Sequence, residues 1–394
     1  MKFFANSFVN RIYMHAAVQG LAEHIGGFFV FVYLLKQGVA LPQVLLVLAA
    51  FTTCRQINRM LLVPVAKKIG LRNALIVANI LTASSYLPLG LSTGLDRFLL
   101  LYVLIGSLGE SWYHSCMHAT QASLGDQEAR GAQTSAVQLI FALNGILGPM
   151  IGGLLLVTFG PTVSFPIAFC LQTLACLPLL ATPNQQIPKQ AVISKANKQF
   201  AFRVYASDGF FASSVVMWNL GLFLTLGSKF DVFGYVFAFA GLLGAVFGLI
   251  IGRFVDLGHG LASTKVACSF GILTVIARVF CVGHPVMAIA AHAFATVMGP
   301  LYGSAYNSRV YNLAKQSGDP LRFHVYGEGG WDTGCAVGAC IIALLLHLGS
   351  SWALPNGLGL LGIAGVFLVL RASFRNHTDT AASGNNQATQ ESNP

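Results

Sequence analysis

Twelve apolar stretches, each near the length a helix needs to cross a bilayer, fill most of this sequence, and Lys and Arg fall almost entirely in every second gap between them. A hydrocarbon core about 30 Å thick takes roughly 20 apolar residues per helix. Cytoplasmic loops retain positive charge, so the alternation reports orientation as well as class. The basic side carries Lys2 and Arg11, then Arg59, Lys67, Lys68 and Arg72, then Arg130. It continues with Lys189, Lys195, Lys198 and Arg203, then Arg253 and Lys265, then Arg309, Lys315 and Arg322, and finally Arg371 and Arg375. The other side has Lys36, Arg97 and Lys229, while Arg55 and Arg278 lie inside stretches. Both termini are therefore expected in the cytoplasm.

Composition supports this class. Of 394 residues, 55% are hydrophobic and 9% charged, whereas charged residues make up about a quarter of a soluble globule. The net charge of +10 is explained by basic residues spaced between spans, so no nucleic-acid partner is implied. Short loops leave no room for a soluble catalytic domain, and no enzyme activity or cofactor is expected. Cys54, Cys116, Cys170, Cys176, Cys268, Cys281, Cys335 and Cys340 all lie in apolar stretches without zinc-type pairing. The first stretch exceeds a signal-peptide core in length and is expected to persist as a span.

The spans are predicted at 8–35, 41–66, 70–93, 97–123, 131–158, 161–182, 205–227, 232–254, 264–283, 285–311, 326–349 and 352–372. This is an all-α integral membrane protein with twelve transmembrane helices in two six-helix bundles, residues 1–182 and 205–372. A cytoplasmic linker is expected over 183–204, and a disordered cytoplasmic tail over 373–394, whose last part is rich in Asn, Thr, Ser, Gln and Gly. Gly125-Asp126-Gln127-Glu128-Ala129-Arg130 after span 4 is echoed by Gly318-Asp319-Pro320-Leu321-Arg322 after span 10. The loop after span 2, from Val63 to Arg72, has a similar echo in Gly252-Arg253-Phe254-Val255-Asp256-Leu257-Gly258-His259-Gly260 after span 8. Paired halves are a transporter architecture, with the substrate near the midplane between them.

Three segments carry a resemblance to the major facilitator superfamily that extends over the twelve spans. Gly252 to Asp256 fits the start of the family's Gly-x-x-x-Asp loop motif. The first-half copy keeps Gly70 and Arg72 but has Val63 for the glycine and Lys67 for the acid. Arg130-Gly131 leading to Gly148-Pro149-Met150-Ile151-Gly152-Gly153 in span 5 resembles the antiporter motif. The resemblance implies rocking-type alternating access and export; close helix packing through small residues is the alternative role for those glycines.

An ionisable side chain at mid-membrane costs roughly 2.5–3.5 kcal/mol, so it is expected to face a cavity or a partner. Glu23 and His24 lie near the middle of span 1, Arg55 in span 2 and Glu110 in span 4. The resemblance implies that spans 1 and 4 line the transport path. Glu23 or Glu110 is thus a candidate proton-coupling carboxylate, since burial disfavours its charged form and a neighbouring cation such as Arg55 restores it. A purely structural ion pair is the competing role. Glu110, His114 and His118 share one helical face at four-residue spacing, which suits a proton relay or wet cavity wall, packed histidines, or a transition-metal site.

In the family the acid after span 2 helps latch the cytoplasmic side to span 11, but Lys67 replaces it here. Span 11 opens with Glu328 and Asp332, so a charge-reversed latch with Lys67 or Lys68 is expected, with Asp256 and Arg130 as its counterpart; unrelated interfacial charges are the alternative. Arg278 is expected to snorkel toward the outer surface. Trp112, Tyr113, Trp218, Tyr302, Tyr306 and Trp331 are candidates for stacking on a flat substrate or for ordinary packing. No P-loop occurs, so direct ATP use is not indicated. The expectation is a monomeric secondary transporter in a cell membrane, such as a bacterial inner membrane, moving a small organic molecule with protons or another coupling ion. An organic-anion importer, a metal or metal-chelate carrier, and a non-transporting membrane sensor or enzyme on this fold stay open.

Overall fold

A computed structural model describes residues 6–124, 130–187, 193–255 and 260–390. Among them the chain is helical and without strands. Its helices form α1 (Ser7–Lys36), α2 (Leu41–Arg59, continued by Leu62–Ile69), α3 (Leu71–Leu91), α4 (Arg97–Leu124), α5 (Arg130–Thr158) and α6 (Pro161–Leu180). The second half holds α7 (Lys195–Thr225), α8 (Phe230–Val255), α9 (Gly260–Cys281), α10 (Pro285–Thr296, continued by Met298–Gln316), α11 (Pro320–His347) and α12 (Ala353–Gly357, continued by Gly359–Gln390). Eight stretches of the described helices are long and apolar enough alone to cross a membrane. Those in α2, α4, α7 and α10 fall outside that group, and they carry much of the interior polar chemistry described below.

Local chemistry sets the helix ends. Asn6 accepts hydrogen bonds from the Phe8 and Val9 amides at the start of α1, and Asp319 accepts from the Arg322 amide at the start of α11. Such caps satisfy donors that a first helical turn leaves free. At the start of α4, partial burial would raise the Asp96 pKa, but the Thr93 and Leu99 amides and nearby hydroxyls hold it below the ordinary carboxylate range. Gly70 joins α2 to α3 at φ +84° with Asn184 packed where a Cβ would stand, a position only glycine occupies without strain.

Several differences from the sequence expectation have physical causes. Ser194 accepts from the Asn197 amide, so α7 begins at Lys195, inside the expected linker. The added turns are retained because Ile193, Ala201 and Val204 are buried with Tyr306, Val310, Phe323 and Leu370. The helical backbone of α12 runs to Gln390, into the segment whose composition indicated disorder. Helix α1 tightens into a 3-10 turn at Gly27–Phe29, where Tyr86 closes on Gly26 and Gly27. The loop echo at 125–129 lies outside the described residues.

The halves meet most extensively through α5 with α8 and α2 with α11, pairs that exchange when each helix is shifted by six, as a two-fold relation between the halves requires. At the end away from the basic loops one apolar cluster runs across both halves, from Phe29, Tyr33 and Phe165 to Trp218, Phe223, Phe233 and Ile342. At the basic end the apolar packing divides. One cluster centres on Ile12, Leu62, Leu75, Tyr113 and Met117, the other on Tyr205, Tyr306, Val310 and Phe323. Charged residues fill the seam.

Candidate functional site

Arg55 and Arg59 are one turn apart on α2, and Glu328 and Asp332 are one turn apart on α11, so each pair shares a helical face. Packing α2 on α11 sets the pairs against each other. Arg55 Nε lies 2.9 Å from Asp332 Oδ1, and Arg59 Nη2 contacts Asp332 Oδ2. Arg55 Nη1 donates to Glu110 Oε2 on α4 at 3.1 Å, and its Nη2 is 3.6 Å from Glu328 Oε2. Arg59 Nη1 also donates to the Ser111 carbonyl at 2.8 Å and to Ser115 Oγ at 2.7 Å. Asp332 is fully buried, Arg59 is 2% exposed and Arg55 5%. Removing such groups from water costs several kcal/mol per ion unless opposite charges and hydrogen bonds offset it, and the reciprocal pairing meets that condition.

The network extends to α7 and α10. The Arg55 guanidinium lies 5.2 Å from the Trp331 ring centre, and Trp331 Nε1 donates to Asp208 Oδ2 at 3.2 Å. His118 Nε2 is 3.5 Å from Glu328 Oε1. Its Nδ1 is 2.7 Å from the Tyr311 hydroxyl, which donates to Gln121 Oε1 at 3.3 Å. With that hydroxyl proton committed to Gln121, Tyr311 accepts from His118 Nδ1–H. Nε2 therefore faces a carboxylate, a pairing that is attractive only with a proton between them. His118 also stacks on His324 at 5.0 Å, and the Tyr205 hydroxyl is 3.1 Å from His324 Nδ1.

The expected residues thus divide. Glu110 and His118 join Arg55, while half-buried His114 sits edge-on to Tyr113, with ring centres 5.5 Å apart. Glu23 accepts from Gln19 Nε2 at 2.8 Å, and the ion pairs of the described residues do not include it, so the partner of Arg55 is Glu110. His24 Nδ1 lies 2.7 Å from the Gly20 carbonyl. The acids of α11 do not meet Lys67 or Lys68, which are exposed; those lysines lie beyond the buried turn that presents Arg55 and Arg59. Asp256 and the side chain of Arg130 lie outside the described residues. Among the described residues no three His, Cys, Asp or Glu groups assemble as metal ligands, since Glu110 and His118 turn to different partners.

The span 5 glycines act in packing. A Cβ on Gly148 would overlap His24 of α1, one on Gly152 would press on Ile25 and Phe29, and one on Gly153 would meet the Phe230 backbone of α8. Pro149 and Met150 close on Gly234 of α8, so this motif sets α5 against both halves. Arg278 does not snorkel, because it is 7% exposed and its guanidinium lies 5.3 Å from the Trp218 ring centre. Sequence reasoning missed Arg59 by assigning it to the basic loops, although its four-residue spacing from Arg55 repeats that of Glu328 and Asp332. His324, four residues before Glu328, continues the spacing of Glu328 and Asp332 and was also missed, whereas Tyr311, Tyr205 and Asp208 carried no comparable spacing signal.

The sequence matches the family model described as Major Facilitator Superfamily over residues 3–321. No curated protein matches it. Among solved structures, the human organic anion transporter MFSD10 (TETRAN) superposes with a TM-score of 0.65 at 17% identity, covering 92% of this chain and 98% of that one. The nucleoside transporter NupG superposes with a TM-score of 0.64 at 12% identity, covering 93% of this chain and 98% of that one.

Proposed function

The chain belongs to the major facilitator superfamily, and on that premise we propose that it is a secondary active transporter which couples movement of a small organic molecule to protons by alternating access. The observation that carries this reading is the charged layer between the halves. Three carboxylates, Glu110, Glu328 and Asp332, face two guanidiniums, Arg55 and Arg59. That layer holds one net negative charge and is neutral when His118 or one carboxyl takes a proton. A single proton therefore changes how strongly α4 and α11 are held together, which is the element an ion gradient needs to act on. A proton crossing 100 mV supplies about 2.3 kcal/mol, enough for a solute gradient of more than tenfold.

In this reading the twelve helical segments are twelve crossings, and the basic end and both termini are cytoplasmic. Glu110, 24% exposed, is the exchangeable site, with His118 and Glu328 as the relay and Asp332 as the fixed anchor. Glu23 and His24 line the path on α1. Arg55 is matched by acids, so it is not the anion-binding group of an importer. The direction we assign is export, on the span 5 motif, from a single chain acting as a monomer.

The test starts from a thermal-shift screen of the purified protein against organic anions and nucleosides, the solute classes named for the structural neighbours. Hits then go into proteoliposomes with an entrapped pH dye and an imposed pH gradient. Solute flux accompanied by one proton supports the proposal. Flux of the same rate with and without the gradient removes the proton coupling, and accumulation only in the import direction removes the export assignment.

A further inference from the structure

A third buried guanidinium has a different setting. Arg278 stands one turn from the end of α9 that faces away from the basic loops, and among the described residues no ion pair includes it. Its Nε is buried without an acceptor, and Trp218, itself fully buried, covers the guanidinium from α7. Trp218 Nε1 donates to His292 Nδ1 on α10 at 3.3 Å. An indole nitrogen only donates, so Nδ1 must accept and the imidazole proton sits on Nε2. That Nε2 is also buried without a partner. One turn before Arg278, the Thr274 hydroxyl is buried and unpartnered as well. Phe237 of α8 closes the His292 side, with ring centres 4.1 Å apart.

These groups share one sign. Arg278 Nε–H and His292 Nε2–H are donors, the Thr274 hydroxyl can donate, and the guanidinium brings a full positive charge. In the Arg55 network every guanidinium meets a carboxylate of the chain, whereas here, among the described residues, the guanidinium faces an indole ring and no carboxylate, a contact weaker than an ion pair. Native interiors leave few polar groups unpaired, so the shortage of acceptors around a cation identifies what is missing. We infer that Arg278, His292 and Trp218, with Thr274 beside them, form a site for a small monoanion, either an inorganic halide or the carboxylate of an organic acid. The site belongs to the second half alone and opens when the apolar end of the molecule separates. Arg278 supplies charge and one donor, His292 a second donor, and Trp218 with Phe237 the apolar walls that exclude water.

Binding is measured without transport, so the outcome is independent of proton coupling. The full chain in detergent is titrated with sodium bromide and with sodium benzoate at constant ionic strength, with sodium sulfate as the balancing salt. Melting temperature and tryptophan emission are read together. The wild type is expected to give a saturable rise in melting temperature and a saturable emission change that disappears in Trp218→Phe. Arg278→Met should weaken the response about tenfold or more, while Arg278→Lys keeps a response because it keeps the charge. A response to bromide alone identifies an inorganic anion, to benzoate alone an organic carboxylate, and to both the shared chemistry. Absence of a saturable response to either anion in the wild type overturns the site, and so does equal affinity in Arg278→Met.

Discussion

Asp332 is the most consequential single side chain in the charged layer, because it is fully buried and contacts both Arg55 and Arg59. Asp332→Asn leaves buried Arg59 without its carboxylate and Arg55 with Glu110 and Glu328 alone, and breaking a buried pair from one side costs about 3–5 kcal/mol. The expected result is a large fall in melting temperature. The double replacement Arg59→Met with Asp332→Leu should recover part of it, since removing both charges also removes the desolvation cost. If the double variant melts no higher than Asp332→Asn, the pair is not acting as a charge match. Glu110→Gln is the contrasting case. At 24% exposure it loses a hydrogen-bonded contact without stranding a fully buried acid, so the protein should fold, retain solute binding and lose the response of flux to a pH gradient. Arg55 and Glu110 were legible in the sequence because charges inside apolar stretches are costly wherever they occur. Arg59 was not, because the basic alternation offered a sufficient explanation for it, and only the α2–α11 contact distinguishes a loop cation from a buried one.

At the scale of elements, the spans were legible from hydropathy, while their interruptions were not. The break in α2 after Arg59 precedes Pro64, which has no amide hydrogen for the Met60 carbonyl, whereas the 3-10 turn in α1 sits where Tyr86 closes on Gly26 and Gly27, a neighbour that a one-dimensional pattern does not contain. The same limit applied to the glycines of α5, whose spacing suggested both packing and export. Packing separates them by position. A Cβ on Gly145 meets nothing within 4 Å, whereas one on Gly148 would overlap His24. Gly145→Ala should therefore be neutral or raise the melting temperature, since alanine is favoured over glycine in a helix by about 1 kcal/mol. Gly148→Val should lower it by an amount typical of overpacking, about 1–3 kcal/mol or more. On α11, Gly330 and Gly334 admit the α7 backbone at Phe202 and Ala206, and Gly338 continues the small-residue ridge against the Ser213 and Phe210 side chains. Gly334→Val should force α7 from α11 and carry Asp208 away from Trp331, lowering stability by at least as much as Gly148→Val.

The whole molecule has two unlike closures. Away from the basic loops, continuous apolar packing joins the halves, supplemented by Lys36 Nζ donating to the Ser228 carbonyl at 3.0 Å. At the basic end the apolar clusters remain largely separate and charges bridge them. The two-fold relation between the paired halves maps each end onto itself, so it requires the helix pairs α2–α11 and α5–α8 to correspond, as they do, and leaves the two ends free to differ. They differ in chemistry, because charges populate one seam and aromatic rings the other. On the proposed coupling, this asymmetry makes the basic end the one that protonation would release. Glu328→Gln weakens the tie of α11 to Arg55 and His118 while leaving Asp332 in place. Each 1.4 kcal/mol so removed shifts a two-state opening equilibrium about tenfold. Spin labels introduced by Lys68→Cys on α2 and Gln316→Cys on α10, both at exposed positions of opposite halves, report that opening as a distance distribution. Glu328→Gln should add or enlarge a longer-distance population, and lowering the pH should do the same in the otherwise unaltered labelled protein but have little further effect in the variant. Coincident distributions at all pH values in both proteins would mean that the charged layer holds the halves together without gating them.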